Sequence, residues 1–479
     1  MRIRSALRAA CAVVAAACAG SCARAQTVLE IDTDVPVPRM GDSVRVDVLR
    51  DDGTVIESRT FFAGNRQDWP LSFGLTADAS TRVRVRLFFA AKILGARRSA
   101  TGVDAGGAAA MGDAGDEREP LVESSIDRLV VLDRPTQGVR RVRVLLRGDC
   151  MGVPADLANN TTCTSASTTN ASAAIGDGDE RTATSLLGTW TAAIETDCAG
   201  QPRADSALRD GEACIKGGAF FLGDERVGST PCEPNCGASP ERIVKLSPFF
   251  MDRYEVTVAR WRAAMARGFR PQFNSWNASD ACTARTPGAD PDLPINCVSV
   301  EDARAFCQWD GGRDLPTEAQ FEFAATGRGR EREYVWGSAL PDCTFASYAR
   351  FRVPGSAGAT FGNIDECTES GEGPSLGAMF EHDRTDEGVY DLAANLGEWT
   401  RDALERFDRG CWARQRYGLL VDPVCDQSST DRVRRGGSWG HASLVLSPNW
   451  RAAIPIARIR TTAGELGTLY GFRCVRRAL

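Results

Sequence analysis

The chain has 479 residues, which is long enough for two or three domains that each bury a hydrophobic core. Its formal net charge is −6 at pH 7, and its arginines are interspersed with acidic residues along the chain. This pattern gives no electrostatic basis for nucleic-acid binding, so nucleic acid is not expected as a partner.

The first 25 residues have the pattern of a signal peptide. Three arginines precede an apolar run over residues 9–19, and Ala23-Arg-Ala25 then matches a cleavage site, so the mature chain is expected to begin at Gln26. Cys22 could instead carry a lipid, although the residues before it lack the large aliphatic side chain of a typical lipobox. No other segment approaches the roughly 20 apolar residues that a membrane span needs. The protein is therefore expected to be exported to the periplasm, the cell surface or the medium.

The cysteine content agrees with export. Three of the 17 cysteines lie in the first 25 residues, which leaves fourteen, and an even number in an exported chain predicts disulfides. Only His382 and His441 are present, which excludes a histidine-rich zinc or iron centre.

Residues 26–149 are predicted to form an all-β sandwich of the immunoglobulin or fibronectin type. Apolar and polar residues alternate in several short segments that turn residues separate: 43–49, 54–62, 82–88, 126–132 and 139–146. One face of these strands is rich in Arg and Asp and is expected to face solvent.

Residues 150–211 are predicted to form a linker rich in Ser, Thr and Asn. The segment has few large apolar residues, so it cannot bury enough surface to offset the entropy lost on ordering. Cys150 and Cys163 could close a small loop at its start.

Residues 212–479 are predicted to form a second domain, with few helices and much irregular structure. Thr317 and Gln320 have the spacing of a capping box, and Gly327 can end that helix in the left-handed conformation. Ser299 is expected to begin a second helix, and Thr257 a third that ends at Gly268.

Several motifs in this region resemble the sulfatase-modifying-factor family, which includes the formylglycine-generating enzymes. They occur in the family's order: GGAFFLG at 217–223, YEVT at 254–257, NCVSVEDA at 296–303, LPTEAQFEFAA at 315–325, YVWG at 334–337, ANLGEW at 394–399, RGGSW at 435–439 and GFRC at 471–474. The resemblance implies an α+β fold, a variant of the C-type-lectin type. The whole chain is therefore expected to be multidomain, with an N-terminal all-β sandwich and this C-terminal domain.

The resemblance also identifies what the chain lacks. The enzymes of the family have two cysteines just after the GGS-aromatic segment, and these thiols hold copper and carry the oxidation chemistry. Here His441 and Leu446 stand at the matching positions. Because copper(I) requires soft sulfur ligands, copper is not expected as a cofactor.

A calcium site is a second implication of the resemblance. Residue by residue, Asp391 and Glu398 would supply carboxylate oxygens, and Ala394 and Leu396 would supply backbone carbonyls. Several oxygens on a tight turn suit this hard cation. The alternative is a polar turn whose side chains only satisfy backbone amides.

Cysteine pairing follows partly from the resemblance. Cys307 and Cys474 match positions that are bonded in the family. The pairs Cys343/Cys367 and Cys411/Cys425 are plausible, but sequence spacing does not fix connectivity. Cys232 and Cys236 are expected to form a loop disulfide, since nothing completes a zinc site around them.

A candidate ligand pocket surrounds the GGSW motif. It would be formed by Ser438, Trp439, His441 and Trp450. The two tryptophans could line a cleft as aromatic platforms or belong to the core, and a single loop histidine is more often a hydrogen-bonded surface group.

Two functions are therefore predicted. The first is a non-catalytic module that binds a peptide, a glycan or a cell-surface protein. The alternative is a diverged oxidoreductase of the formylglycine-generating type. The iron-dependent sulfoxide synthases of the same fold need a histidine set and an additional helical domain, and the chain has neither.

Overall fold

The structure is a computed structural model. It describes residues 26–76, 81–90, 119–133, 138–174, 186–223, 238, 240–273, 275–277, 282–286, 288–330, 332–350, 367–415, 417–426, 431–440, 459–462 and 467–478, with only the backbone of 275, 414 and 459–462. No helix within these residues is long and apolar enough to cross a membrane.

The N-terminal part consists of strands in two sheets. The strands are β1 (Gln26–Thr33), β2 (Ser43–Leu49), β3 (Val55–Phe62), β4 (Leu71–Leu75), β5 (Thr81–Phe88), β6 (Ile126–Leu132) and β7 (Val139–Leu146). One sheet has the order β4-β1-β7, in which β1 and β7 are parallel, and the other has the order β3-β2-β5-β6. Sequence alternation predicted five of these strands within one residue at each end. It missed β1 and β4.

One hydrophobic core cluster is shared by the two sheets. It contains the alternating apolar residues of both: Leu29, Ile31, Val44, Val46, Val83, Val85, Val142 and Val144. Period-two alternation puts these side chains on one face of each strand, and burial of that face stabilises the pair of sheets. The sandwich of the immunoglobulin or fibronectin type stays a prediction.

On β2, β5 and β6 the face rich in Arg and Asp is buried, which corrects the expectation that it faces solvent, whereas Arg141 on β7 is 60% exposed. Arg45, Asp47 and Arg86 on this face are all less than 10% exposed. Asp47 accepts hydrogen bonds from both arginines, and Arg84 donates to Asp127 at 2.9 and 2.6 Å. Opposite charges on neighbouring strands therefore neutralise one another, and a further segment of the chain covers them.

The cover comes from the segment that was predicted as a linker. It contains strands β8 (Thr161–Thr162) and β9 (Ala171–Ser172) and helix α1 (Thr189–Ile194). Ala155 donates its backbone N–H to Asp127 at 3.1 Å, and Val131 donates to the carbonyl of Ala173 at 2.8 Å. The described parts of 150–211 are thus folded against the strands, through these backbone hydrogen bonds and through buried apolar residues such as Trp190 and Ile194 of α1.

The described residues of the C-terminal part form short strands, three helices and long irregular connections. Its strands are β10 (Glu212–Ile215), β11 (Gly218–Leu222), β12 (Arg242–Leu246), β13 (Phe249–Asp252), β14 (Gly397–Ala403), β15 (Leu420–Val421), β16 (Asp431–Arg435), β17 (Ile459–Thr462), β18 (Tyr470–Gly471) and β19 (Val475–Arg477). Its helices are α2 (Val258–Ala266), α3 (Val300–Trp309) and α4 (Glu318–Ala325). The sheet orders are β10-β13-β19, β11-β12-β15 and β17-β16-β14-β18.

The three helices begin where their capping residues predict. Thr257 accepts from Arg260 N, Ser299 from Asp302 N and Thr317 from Gln320 N, so each satisfies an orphan donor of the first turn. The Gln320 side chain accepts in return from Thr317 N at 2.9 Å, which completes the capping box.

The two parts of the chain share a core. Ala219, Phe221 and Ile243 of the C-terminal part belong to the same buried cluster as the N-terminal strands and Trp190 of α1. The rings of Phe221 and Phe89 meet edge to face, with centroids 5.6 Å apart. Packing therefore continues across the predicted boundary at residue 211, and the domain boundaries stay predictions.

Disulfides join many of the loops. The described pairs are Cys150–Cys163, Cys198–Cys214, Cys282–Cys297, Cys307–Cys474, Cys343–Cys367 and Cys411–Cys425. Cys307 on α3 and Cys474 before β19, the pair that the resemblance implied, have α-carbons 5.5 Å apart. Cys232 and Cys236 lie outside the described residues.

Candidate functional site

A tight loop and the start of β14 gather four buried carboxyl groups. Asp391 and Asn395 adopt left-handed φ values of 61° and 69°, which turn the loop sharply before β14. The carboxyl groups belong to Glu255, Asp383, Asp391 and Glu398, which are called the carboxylate cluster below. All four side chains are at most 1% exposed.

Arg473 contacts this cluster directly. Its guanidinium donates to both oxygens of Glu398, from Nε at 2.9 and 2.8 Å and from Nη2 at 2.6 Å. Burial raises the pKa of Glu398, and Arg473 opposes that shift only in part. Burial also works against the Arg473 cation, but Glu398 outweighs it and holds the arginine pKa above its usual value.

Two carboxyl groups hold the backbone of the loop. Glu255 accepts from Asn395 Nδ2 at 2.6 Å and from Leu396 N at 2.9 Å. Asp383 accepts from Ala393 N at 3.0 Å and from Ala394 N at 3.1 Å. The backbone N–H groups of Ala394 and Leu396 thus point at carboxylates, which fixes the turn.

Burial and mutual repulsion disfavour ionisation of these groups. Burial, followed by the charge of Asp391, raises the pKa of Asp383 to about 8. Burial also raises the pKa of Asp391 to about 6 and puts that of Glu255 well above its usual value. Burial and repulsion therefore favour the protonated form of these acids, which limits the negative charge beside Arg473.

The predicted calcium ligands fit this arrangement unequally. Asp391 accepts from Ala378 N at 2.8 Å through Oδ2, while its buried Oδ1 has no hydrogen-bond partner among the described residues. An unpaired carboxylate oxygen in an acidic cluster suits a hard cation. Glu398 fits less well, because Arg473 engages both of its oxygens.

Within the described residues, no three Asp, Glu, His or Cys side chains converge as a metal-ligand set. The calcium site stays a prediction.

The described half of the predicted ligand pocket lies in the interior. Ser438 is fully buried and Trp439 is 8% exposed. The Trp439 backbone N–H donates to the Asn395 carbonyl at 2.7 Å, and its indole N–H donates to the Thr468 carbonyl at 3.1 Å. These contacts favour the core interpretation for Trp439. His441, Leu446 and Trp450 lie outside the described residues.

A polar surface cleft of about 440 Å³ lies elsewhere, beside Tyr254. Its walls include Asp205, Arg209, Asp292 and the backbone of Gly377. The Arg209 guanidinium lies over the Tyr254 ring, 5.4 Å from its centroid, and donates to the Gly377 carbonyl at 2.6 Å. The cleft therefore offers carboxylates, a guanidinium and hydrogen-bonding backbone to a polar ligand.

Sequence reasoning did not assign Glu255, Asp383 or Arg473 to the site. Glu255 and Arg473 stand inside the YEVT and GFRC motifs, so their membership in these motifs is the signal that could have identified them. Asp383 stands in no matched motif, and only the fold brings it beside Asp391, whose N–H donates to its carbonyl at 2.9 Å.

Comparison with known proteins identifies the family. The model of the sulfatase-modifying factor enzyme 1-like domain matches residues 199–478, more than half of the chain. The chain belongs to this family. The match begins before β10, so the family domain includes part of the segment that was predicted as a linker.

Relatives within the family have different names. A formylglycine-generating enzyme of Thermomonospora curvata is 28% identical over 57% of this chain and 95% of the relative. An inactive C-alpha-formylglycine-generating enzyme 2 of Bos taurus is 31% identical over 38% of this chain and 50% of the relative. A hercynine oxygenase of Mycolicibacterium thermoresistibile is 27% identical over 44% and 48%. The solved structure of PvdO from Pseudomonas aeruginosa aligns with TM-score 0.42 and 18% identity over 58% of this chain and 98% of that chain.

Proposed function

We propose that this protein is an exported recognition protein, whose family domain binds a peptide, a glycan or a cell-surface partner without catalysis. The observation that carries the proposal is the state of the cysteines. All twelve in the described part of the chain are paired in six disulfides. None of these twelve offers a thiolate to copper.

The sequence at the matched positions supports the same conclusion. Formylglycine generation uses two thiolates close together, and His441 and Leu446 occupy their places here. One imidazole and one aliphatic side chain cannot hold copper(I) in a two-sulfur site. Cys411 and Cys425, the nearest cysteines in sequence, are bonded to each other.

The alternative is a diverged oxidoreductase of the formylglycine-generating type. It is favoured by relatives that are named as formylglycine-generating enzymes and are matched over nearly their whole length. It requires sulfur ligands from outside the matched positions. The relative named inactive C-alpha-formylglycine-generating enzyme 2 is 31% identical to this chain, and its name favours the first, non-catalytic proposal.

One assay separates the two functions. The mature protein is incubated in air with copper, a reductant and a cysteine-containing sulfatase peptide, and the peptide is then weighed by mass spectrometry. We expect no aldehyde product. Copper-dependent conversion that is lost on mutating a cysteine of this chain would establish the oxidoreductase instead. The double change His441→Cys and Leu446→Cys tests whether the missing ligands alone explain the inactivity.

For the recognition role, we propose the cleft beside Tyr254 as the ligand site, because its lining carries both charge signs and hydrogen-bonding backbone. The mature protein is applied to glycan and peptide arrays, and each hit is measured again with Asp292→Asn. This change removes a partly exposed charge at the cleft, and we expect binding to weaken. Asp51→Asn, on an exposed turn of the N-terminal part, is the matched control. Equal binding by all three proteins would exclude the cleft.

A further inference from the structure

The edge strand β3 is exposed on both faces. It pairs with β2 along one side, from Ser43 opposite Phe62 to Leu49 opposite Val55, and its other side has no strand partner among the described residues. Large apolar side chains on it face solvent, with Ile56 57% and Phe62 62% exposed. An edge strand with exposed apolar residues can pair with a further strand.

The charges on β3 are ordered in a self-complementary way. Glu57 and Arg59 flank Ser58 and form an ion pair at 2.7 Å, with both side chains about half exposed. If two copies of β3 pair antiparallel with Ser58 opposite Ser58, residue 57 of each copy lies opposite residue 59 of the other. Each Glu57 then faces an Arg59 across the strands, which is a favourable cross-strand pair.

The same register brings one apolar pair together at each end of β3. Val55 of one copy lies opposite Phe61 of the other, whereas Ile56 lies opposite Thr60. Side chains directly opposite in an antiparallel pair share a face, so Val55 and Phe61, which are 44% and 36% exposed, cover each other.

We propose that β3 is a homodimer interface, at which two copies pair antiparallel about a twofold axis at Ser58. The two four-stranded sheets β3-β2-β5-β6 would join into one continuous sheet. Because the charges are self-complementary, the binding partner that fits this strand is a second copy of this chain. Isolated charges on an edge strand oppose pairing with an arbitrary strand, whereas a twofold axis supplies the complementary order automatically.

Charge reversal with sedimentation analysis tests the proposal. Since the interface is small, we expect wild-type dimer to appear on the order of 10–100 µM. Arg59→Glu and Glu57→Arg should each be monomeric, because like charges then face each other across the strands. A mixture of these two variants should form a heterodimer, and the double change E57R/R59E should restore self-association. Circular dichroism and melting temperature check that each variant is folded.

Cross-linking tests the register. Ser58→Cys should form an intermolecular disulfide in mild oxidant, since opposite α-carbons lie within about 7 Å. Thr60→Cys should not, because its two copies would be offset by four residues, about 13 Å along the strand. A wild-type monomer across this concentration range, dimers that persist in both charge variants, or equal cross-linking at 58 and 60 would each overturn the proposal.

Discussion

At the scale of single residues, some buried charges in the described part of this chain are matched by opposite charge. Asp252 accepts from Arg260 at 2.9 Å and from Arg313 at 2.5 Å, and all three side chains are almost fully buried. Such pairs repay their desolvation only when geometry and hydrogen bonds are good, so losing one partner is costly. Arginines thus form ion pairs in the interior as well as on the surface.

Glu322 is a buried acid whose ionisation should cost stability. Its side chain accepts from Gly223 N at 2.7 Å and pairs with Arg435, but burial dominates and raises its pKa to about 7 from 4.5. The folded chain therefore keeps this proton to higher pH than the unfolded chain. Its contribution is fully present below about pH 4.5 and is lost as the pH rises towards 7.

We expect Glu322→Gln to remove this part of the pH dependence. The free energy of unfolding, measured with denaturant from pH 4.5 to 7.5, should decline less in the variant, by on the order of 1–3 kcal/mol. Glu381→Gln, which changes an exposed carboxyl group, is the control. A constant difference between variant and wild type across this range would contradict the assignment.

The calcium prediction also belongs to single residues. Calcium that binds only the folded state should raise the melting temperature. Because the unpaired oxygen belongs to Asp391, the change Asp391→Asn should abolish that rise, whereas Asp51→Asn should preserve it. Identical unfolding in calcium and in chelator would refute the site.

At the scale of elements, Cys307–Cys474 links helix α3 to the last strand. The bond closes a loop of 167 residues, and Cys343–Cys367 closes one of 24. The chain-entropy relation assigns roughly 5 kcal/mol to the longer loop and roughly 3.5 kcal/mol to the shorter one. Both figures are upper values because native strain subtracts.

Replacing both cysteines of a pair by serine should therefore destabilise the protein more at 307 and 474 than at 343 and 367. Denaturant unfolding measures the difference, which we expect to be about 1–2 kcal/mol. A peptide map of the unreduced protein provides the independent check. A free thiol at Cys307 or Cys474 would contradict the pairing.

The whole molecule has a core that runs across the predicted domain boundary. Phe221 packs against the N-terminal strands although it stands inside the family domain. Two parts that share a core lose contacts together when either one unfolds.

We expect calorimetry of residues 26–479 to show one main unfolding transition. Phe221→Ala should lower its temperature as a unit, with a cost of about 3–5 kcal/mol, as is usual for a buried phenylalanine. Val139→Ala, at a residue that is 59% exposed, should have little effect. Two transitions of which Phe221→Ala moved only one would mean that the parts unfold independently.

What the sequence determined is what depends on near neighbours. Alternation over a few residues predicted the bounds of β2, β6 and β7, and capping residues predicted where the three C-terminal helices begin. Both signals come from residues that are only a few positions apart in the sequence. The family was predictable because its motifs occur in order. The tertiary structure alone decided which charges are buried. Glu255 meets Asn395 across 140 residues, and the Arg-rich face of β2 and β5 is covered by residues from the supposed linker. Such burial depends on contacts between distant segments, which local patterns do not encode.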